Sequence, residues 1–259
     1  MRIKLTLEYD GTAYAGWQRQ QNALAVQQVV EEALARLTGE AVGVTGASRT
    51  DAGVHALGQV AHFDTHSPIP PEKFAFALNT MLPADVRVSS SGPAAPDFHA
   101  RFSARGKRYR YLMYDATHAS ALYRGLCAHS IYPLDVDRMD REAACMVGTH
   151  DFSAFAASGS TVKDTVRTIT RCQVVRRQPF VVLTVEGNGF LYNMVRILAG
   201  TLMGVGGGKL APGAVARALE TGDRLALGPT APPQGLVLRR VFYKGLTACE
   251  TGFQGEYNE

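Results

Sequence analysis

The order of strand-like and helix-like segments in the first hundred residues limits the possible folds of this chain more than any other feature. Apolar and polar side chains alternate over residues 3–9, which predicts a half-buried strand. From Val26 to Leu37 the apolar residues recur at helical spacing, and Gly39 ends the pattern, which predicts an amphipathic helix. The patterns that follow predict, in order, two strands, a helix and a strand over residues 41–46, 57–65, 70–82 and 85–92.

The second half of the chain repeats the order strand, helix, strand, strand, helix, strand. The segments are 107–114, 135–148, 167–178, 180–188, 190–206 and 235–243, with a hairpin turn at Gln178-Pro179 and an inserted helix near 212–221. This βαββαβ order is that of a ferredoxin-like unit. We therefore predict an α+β fold of two ferredoxin-like βαββαβ halves, whose antiparallel sheets flank a central active-site cleft. The predicted domains are residues 1–104 and 105–259.

Composition and cysteine usage indicate a cytoplasmic globular protein. The chain is 46% hydrophobic and 19% charged, which is typical of a folded protein, and it contains no apolar stretch long enough to cross a membrane. Its first residues alternate like a strand and lack the pattern of a signal peptide. None of the four cysteines lies in a C-x-x-C pair or at zinc-finger spacing, so we expect reduced thiols and no metal site at Cys127, Cys145, Cys172 and Cys249.

The positive charge is concentrated in one segment. The net charge is +4, and residues 101–110 carry five basic side chains and no acid, with Phe102 and Tyr109 among them. Basic residues interleaved with aromatic rings suit the backbone and the bases of a nucleic acid. The same residues also suit a solvated strand edge, where charge discourages aggregation. Charge alone leaves both interpretations open.

The glycine-rich stretch at 204–210 does not fit a phosphate-binding loop. Met203 occupies the position where that motif needs its first glycine, and Leu210 follows Lys209 where the motif needs Ser or Thr. The stretch also follows a predicted helix rather than a strand. We predict a helix C-terminus followed by a turn.

Residues 46–63, "GASRTDAGVHALGQVAHF", place a lone acid, Asp51, just before a predicted strand. Four roles are open to it. It suits a metal ligand together with His55 and His62, or half of a hydrolase carboxyl pair, for which Asp64 is the nearest partner in sequence. It equally suits an Asx turn or a helix cap, or a covalent nucleophile.

A carboxylate nucleophile must be ionised, so it needs a nearby cation. Arg49 lies two residues before Asp51 in sequence. Arg196 lies within an otherwise apolar helical segment, where an unpaired charge is costly. An opposite charge at about 4 Å contributes roughly 4 kcal/mol at an effective dielectric of 20, before desolvation is subtracted. Arg196 is therefore either paired with an acid or extended to the surface.

The stretch around Asp51 resembles the signature of the tRNA pseudouridine synthase A (TruA) family. The resemblance covers nearly the whole chain and is carried by several long motifs in the family's order. These motifs are "YDGTAYAGWQRQ", "FHARFSARGKRYRYLMY", "HDFSAFAASGS", "FLYNMVRILAGTLMGVG" and "APPQGLVLRRVFY". One departure is the serine at position 48, where many members have glycine directly before the arginine.

The resemblance implies an isomerase that converts uridine to pseudouridine at positions 38–40 of the tRNA anticodon stem-loop. Asp51 matches the catalytic aspartate, and Arg49 matches the arginine that helps to extrude the target base. Tyr109 matches the tyrosine that stacks on the flipped uracil. Arg196 matches the basic partner of the aspartate, and Leu236 matches an apolar pocket residue.

The resemblance also implies the partners of the chain. It implies a homodimer in which both subunits contact one tRNA, with no cofactor and no metal. The candidates for the phosphate contacts are Arg19, Lys107, Arg108 and Arg110. The alternatives from other classes are a non-catalytic RNA-binding module and a metal-dependent phosphodiesterase that uses Asp51, His55 and His62.

Overall fold

A computed structural model of the chain describes residues 1–157, 159 and 162–243. Cys249 and part of the motif at 150–160 lie outside the described residues. Within them the strands are β1 (Arg2–Tyr9), β2 (Thr45–Gly46), β3 (His55–Asp64), β4 (Val86–Pro93), β5 (Ala104–Asp115), β6 (Ala128–Ser130), β7 (Gly148–Asp151), β8 (Val166–Arg177), β9 (Phe180–Gly187) and β10 (Leu236–Tyr243). The α-helices are α1 (Val26–Thr38), α2 (Phe74–Asn79), α3 (Val136–Ala144), α4 (Met194–Gly206) and α5 (Ala214–Thr221).

The predicted α+β class and the two βαββαβ series are confirmed. The first series is β1, α1, β2, β3, α2 and β4, and the second is β5, α3, β8, β9, α4 and β10. The second series contains the inserted helix α5 and two short strands, β6 and β7, that the sequence patterns did not predict.

The described residues form two compact units. The first contains Met1–Arg105 together with residues 238–243, and the second is Gly106–Val237. Residues 238–243 group with the first unit because β10 runs beside β3. The grouping of residues in space does not show whether residues 1–104 and 105–259 fold as independent domains, so this division of the chain stays a prediction.

The first unit is a sheet with an apolar inner face. Its strand order is β4-β1-β3-β10, and β1 is antiparallel to both β3 and β4. Alternate residues of β1, from Ile3 to Tyr9, are buried, as the alternation predicts. Helix α1 buries Val26, Val30 and Leu34 and ends at Gly39, whose φ of 75° is left-handed.

The second unit is built on the strand order β5-β9-β8-β7, in which neighbouring strands with a described register are antiparallel. Strands β8 and β9 form the predicted hairpin at Gln178-Pro179. Strand β6 pairs with β5 in the parallel direction. Helix α4 ends at Gly206, and Gly208 has a φ of 75°, so the glycine-rich stretch is a helix C-terminus and a turn, as predicted.

No α-helix in the described part of the chain is both long and apolar enough to span a lipid bilayer.

One ion pair in the second unit predicts an acid-sensitive part of its stability. Arg176 donates from Nη1 and Nη2 to the two carboxylate oxygens of Asp115, at 2.7 and 3.0 Å, and Leu134 N donates to the same carboxylate. The hydrogen bond from Arg176 lowers the pKa of Asp115 below its usual value, and the hydrogen bond from Leu134 adds to the effect. This stabilisation is complete above the pKa of Asp115 in the unfolded chain and is lost as the pH falls through its folded pKa.

Replacing Asp115 with Asn is therefore expected to lower the free energy of unfolding at pH 7 by about 2 kcal/mol, because a charged hydrogen-bond partner of Arg176 is lost. As the pH falls below the pKa of Asp115 in the unfolded chain, the deficit should shrink, because the wild-type carboxyl is then protonated on unfolding and the ion pair with Arg176 stabilises the folded state less. Urea unfolding of both proteins at pH 7 and at pH 3 measures this. A deficit of equal size at the two pH values would contradict the assignment.

Candidate active site

Asp51 lies in the first unit, in the loop that joins β2 to β3. Its side chain is half-buried, whereas Arg49 is exposed and both Ser48 and Thr50 are buried. The backbone carbonyl of Asp51 accepts a hydrogen bond from Val54 N at 3.1 Å, so the segment turns tightly before β3 begins. A strand and not a helix follows Asp51, so Asp51 is not a helix cap; the bond to Val54 N is a backbone turn, and an Asx turn made by the Asp51 side chain stays a prediction.

The N-terminal segment fixes this loop through backbone and hydroxyl hydrogen bonds. Trp17 N donates to Thr50 O at 3.0 Å, and Gly53 N donates to Tyr14 O at 3.2 Å. The hydroxyl groups of Tyr9 and Thr50 are joined by a buried hydrogen bond of 2.7 Å. The residues on either side of Asp51 are therefore tied to the same segment.

Two glycines of the motif "YDGTAYAGW" allow this close approach. Gly16 has a φ of 90°, and a Cβ there would meet the carbonyl oxygen of Thr50 and lie 3.1 Å from the carbonyl carbon of Asp51. A Cβ at Gly11 would meet the carbonyl oxygen of Val54. Both positions need glycine because backbone lies where a side chain would be.

The other side of the loop is fixed by a buried glutamine. Gln59 accepts from Ser48 N at 3.1 Å and donates to Ser48 O at 2.6 Å. Its side chain thus satisfies both backbone groups of one loop residue, as buried polar groups require. The Asp51 carboxylate is carried by a backbone fixed on two sides, which is the support that a positioned reactive group needs.

The structure does not assemble the metal site considered for Asp51, His55 and His62. His55 Nδ1 lies 3.0 Å from Gly11 N and 3.1 Å from Asp10 Oδ1. His62 Nδ1 accepts from Ala100 N at 3.1 Å. Among the described residues, no group of three or more His, Cys, Asp or Glu side chains is arranged to bind a metal ion.

In the second unit, Tyr109 lies on β5, opposite Val185 of β9. Its side chain is 8% exposed, and its ring meets the ring of Phe190 edge to face, with 5.1 Å between the centroids. This contact fixes the plane of the tyrosine ring.

Arg196 lies in the first turn of α4, and its half-buried guanidinium is bound within the second unit. Its Nε donates to Ala231 O and its Nη1 donates to Asn193 Oδ1, both at 2.8 Å. Asn193 has a left-handed φ of 60° at the helix start, which brings its amide to the arginine. The alternative in which Arg196 extends to the surface does not fit these bonds.

The segment that follows Ala231 packs against the buried side chain of Tyr111 and leads to Leu236. Tyr111 OH donates to Pro232 O at 2.7 Å, and burial raises the pKa of this phenol while Arg196 opposes the rise. A Cβ at Gly235 would lie 2.6 Å from the Tyr111 ring, so the chain passes close to the ring there. Leu236 is 6% exposed.

Comparison with known proteins shows the family of this chain. A family model described as tRNA pseudouridine synthase matches residues 6–103 and 143–244. The chain belongs to the tRNA pseudouridine synthase family. A tRNA pseudouridine synthase A of Acetivibrio thermocellus is 52% identical over 241 residues, which are 93% of this chain and 99% of the relative. Another, of Ruminiclostridium cellulolyticum, is 51% identical over 243 residues, with the same coverage.

Membership of the tRNA pseudouridine synthase family confirms the predicted resemblance. It makes the chain an isomerase that acts on uridine in tRNA, and it confirms the predicted enzyme class. The predicted site residues stay predictions, since the match identifies the family and not the role of each side chain.

The predicted RNA-contacting residues of this synthase do not form a single strip. Strand alternation directs Lys107 to the same face of β5 as Tyr109, and Arg108 to the opposite face. Arg108 Nε lies 2.9 Å from the Glu186 carboxylate, which Arg171 also approaches at 3.8 Å.

The predicted residues are divided between the two units. Those in the first unit are Arg19, Arg49 and Asp51, and those in the second are Lys107, Arg108, Tyr109, Arg110, Arg196 and Leu236. Arg19 forms an ion pair of 2.9 Å with Glu31. The sequence patterns did not reveal Tyr9, Thr50 and Gln59 as supports of the Asp51 loop, although the glycines of "YDGTAYAGW" are a visible sign of close backbone approach.

Proposed function

We propose that this synthase converts uridine to pseudouridine at positions 38–40 of the tRNA anticodon stem-loop, with Asp51 as the nucleophile on an everted base. The observation that carries the proposal is the Asp51 loop itself. A half-buried carboxylate stands on a backbone fixed by Tyr14, Trp17 and Gln59. Such support suits a group whose oxygen must meet one carbon atom, since misplacement of a reacting group by about 1 Å costs on the order of 10²-fold in rate.

The chemistry needs one carboxylate. The N1–C1′ bond of the nucleotide breaks, the uracil turns, and a C5–C1′ bond forms, while C5 loses a proton and N1 gains one. No electrons are gained or lost overall. A second carboxyl that activates water, as in a glycoside hydrolase, would divert the sugar to hydrolysis. Attack of Asp51 on C1′, attack on C6, and a glycal-like route with proton transfer at C2′ all satisfy this balance.

The target base must leave its stack before Asp51 can reach the sugar. Unstacking costs a few kcal/mol, and stacking on an aromatic ring returns about 1–3 kcal/mol. We assign that stacking to Tyr109, whose ring is kept in plane by Phe190. Arg49 is exposed and lies two residues from Asp51, which supports its role in extruding the base and filling the gap. Leu236 supplies apolar contact with the uracil.

We further propose that Arg196 balances the negative charge of Asp51 in the reactive complex. Its hydrogen bonds to Ala231 and Asn193 support this role, because they hold the guanidinium group in a defined position. An opposite charge favours the ionised carboxylate, which is the nucleophilic form.

Replacing Arg196 with Met is expected to lower kcat at least ~10²-fold and to change KM less than about threefold, since the lost interaction acts on the chemical step. Steady-state kinetics on one tRNA measures both. Arg171→Met, which removes an exposed arginine from the same unit, is the control and should leave kcat unchanged. Loss of tRNA affinity with normal turnover in the Arg196 variant would contradict the assignment.

The remaining parts of the proposal concern the assembly and its location. Arg19, Lys107, Arg108 and Arg110 contact phosphates of the anticodon arm and set the salt dependence of binding. The enzyme acts as a homodimer in which both subunits contact one tRNA. It works in the cytoplasm, which the free thiols of Cys127, Cys145 and Cys172 support.

The experiment that tests the proposed function uses unmodified tRNA transcripts with uridine at positions 38, 39 and 40. After incubation with the protein, pseudouridine is mapped at single-nucleotide resolution. We expect pseudouridine in the anticodon arm at these positions, and none in transcripts that carry cytidine there. Pseudouridine confined to another part of the tRNA would overturn the assigned position.

A further inference from the structure

Phe102 is an exposed aromatic residue that the proposed reaction does not use. Its side chain is 77% exposed, at the end of the segment that follows β4. Its ring stacks on that of His99, with 4.3 Å between the centroids and 30° between the planes. The guanidinium group of Arg101 lies over the Phe102 ring, with Cζ 5.9 Å from the ring centre. We call His99, Arg101 and Phe102 the aromatic platform.

The platform stands on a rigid loop. The His99 ring accepts at Nδ1 from the backbone N–H groups of both Arg101 and Phe102, at 3.2 Å each. The loop is closed by Ser103, whose N–H donates to His99 O at 2.9 Å and whose Oγ accepts from His99 N at 3.0 Å. A loop with this many internal bonds loses little conformational entropy when a ligand binds.

The loop is also anchored to the core of the first unit. Ala100 N donates to His62 Nδ1 at 3.1 Å, and Tyr243 OH donates to Ala100 O at 2.6 Å. The His62 ring lies 5.0 Å from that of His99. Ring contacts therefore extend from the buried sheet to the surface, where they end in Phe102.

The chain segment that contains Phe102 is basic. Arg101 and Arg105 are both exposed, and no acid occurs between Asp97 and Asp115 in the sequence. An exposed aromatic ring with a guanidinium group next to it, in a basic segment, is an arrangement that binds a base by stacking and its phosphate by charge. A protein partner would gain from a wider apolar surface, which the neighbouring charged residues do not provide.

We propose that the aromatic platform binds an unpaired nucleobase of the substrate RNA, at a site separate from the target uridine. The separation follows from β3. His55 follows the Asp51 loop at one end of this strand, and His62, which supports the platform, lies seven residues further on. At about 3.3 Å per residue the two ends are on the order of 20 Å apart. The base on Phe102 is therefore a second point of contact that orients the tRNA.

This inference rests on the proposed function and is tested with the full-length protein and a tRNA transcript. Phe102→Ala is expected to raise both the Kd for tRNA and the KM about 5- to 150-fold, which corresponds to the loss of one stacked base. The kcat at saturating tRNA should stay within about twofold of wild type. Phe102→Trp should restore both constants, because it restores the stacking face. The thermal midpoint should be unchanged, since the side chain is exposed.

The chain offers a matched control. Phe76 is 73% exposed and has a cation beside it, with Lys73 Nζ 5.5 Å from the ring centre. The two positions differ in that the Phe102 ring is stacked on His99 in a basic loop. Phe76→Ala is therefore expected to leave Kd, KM and kcat unchanged.

Three results would overturn the inference. The first is that Phe102→Ala has the same Kd and the same KM for tRNA as the wild-type protein. Another is a loss of kcat at saturating tRNA with an unchanged Kd. The third is a change in oligomeric state, measured by light scattering, with unchanged tRNA binding, which would make Phe102 part of a protein interface. Failure of the proposed function would look different, because the wild-type protein itself would then place no pseudouridine at positions 38–40.

Discussion

The Asp51→Asn variant is expected to form no pseudouridine above about 1 part in 10⁴ of the wild-type rate, while its Kd for tRNA stays within about threefold. Loss of a covalent nucleophile typically costs several orders of magnitude in kcat. The amide has nearly the size and shape of the carboxylate, so the fixed loop around it should be preserved. Formation of pseudouridine under multiple turnover and tRNA binding by fluorescence anisotropy measure the two quantities.

The matched control for this variant is Asp64→Asn at the other end of β3. Asp64 pairs with Arg2 at 2.7 Å on the exposed edge of the first unit, far along the strand from the reactive loop. An exposed ion pair contributes about 0–1 kcal/mol, so this variant should keep full activity. Wild-type turnover by Asp51→Asn would remove Asp51 from the reaction. A parallel loss of tRNA binding would instead give it a structural role.

The second large effect is expected from Gly16→Ala, which adds a single methyl group to the chain. The new Cβ would meet the carbonyl oxygen of Thr50 and lie 3.1 Å from the carbonyl carbon of Asp51, and the φ of 90° disfavours any side chain. The loop that carries Asp51 must move to admit it. We expect kcat to fall ~10²-fold or more, as misplacement of a reacting group by about 1 Å does, and stability to fall by at least about 1–2 kcal/mol.

Gly39→Ala is the control for backbone strain, because it places a side chain at a left-handed φ without displacing the Asp51 loop. Gly39 also has a left-handed φ, of 75°, but apart from its chain neighbours no described atom would meet a Cβ there within 4 Å. This control should lose about 1–2 kcal/mol of stability and keep its kcat. Equal kcat values for the two alanine variants, measured well below their unfolding temperatures, would contradict the role assigned to the fixed loop.

The parts of the fold that could be predicted are those with a periodic pattern of their own. Strand β1 and helix α1 each bury one face, so their periodicities are visible in the sequence, and both occur where predicted. Helix α2 is shorter than the predicted 70–82, because residues 71–73 form a separate 3₁₀ turn before it. Strand β2 is reduced to Thr45–Gly46, since only these two residues pair with β3.

Strands β6 and β7 could not be predicted for a different reason. They have three and four residues, too few to show an alternating pattern, and each exists because a partner strand is beside it. Strand β6 pairs with β5 and β7 pairs with β8. Strand pairings of this kind cannot be recognised from a single sequence.

The sequence predicted the reactive group of the candidate site, Asp51, but it did not predict the residues that hold the Asp51 loop in place. Asp51 stands out because a lone acid lies within a long recognisable motif. The hydrogen bond between Tyr9 and Thr50 joins residues 41 positions apart, and Gly16 and Thr50 meet through backbone atoms that no pattern marks. The aromatic platform was visible as basic residues interleaved with Phe102, but its rigidity depends on contacts with His62 and Tyr243.

The central claim is that the carboxylate of Asp51 performs the chemical step. It is tested most directly by single-turnover release of tritium from C5 of uridine in a labelled tRNA, with enzyme in excess and all tRNA bound, so that neither binding nor product release limits the rate. Wild-type enzyme is expected to release the tritium of the target uridine, and Asp51→Asn is expected to bind the same tRNA and release none. Release by Asp51→Asn at the wild-type rate would contradict the claim.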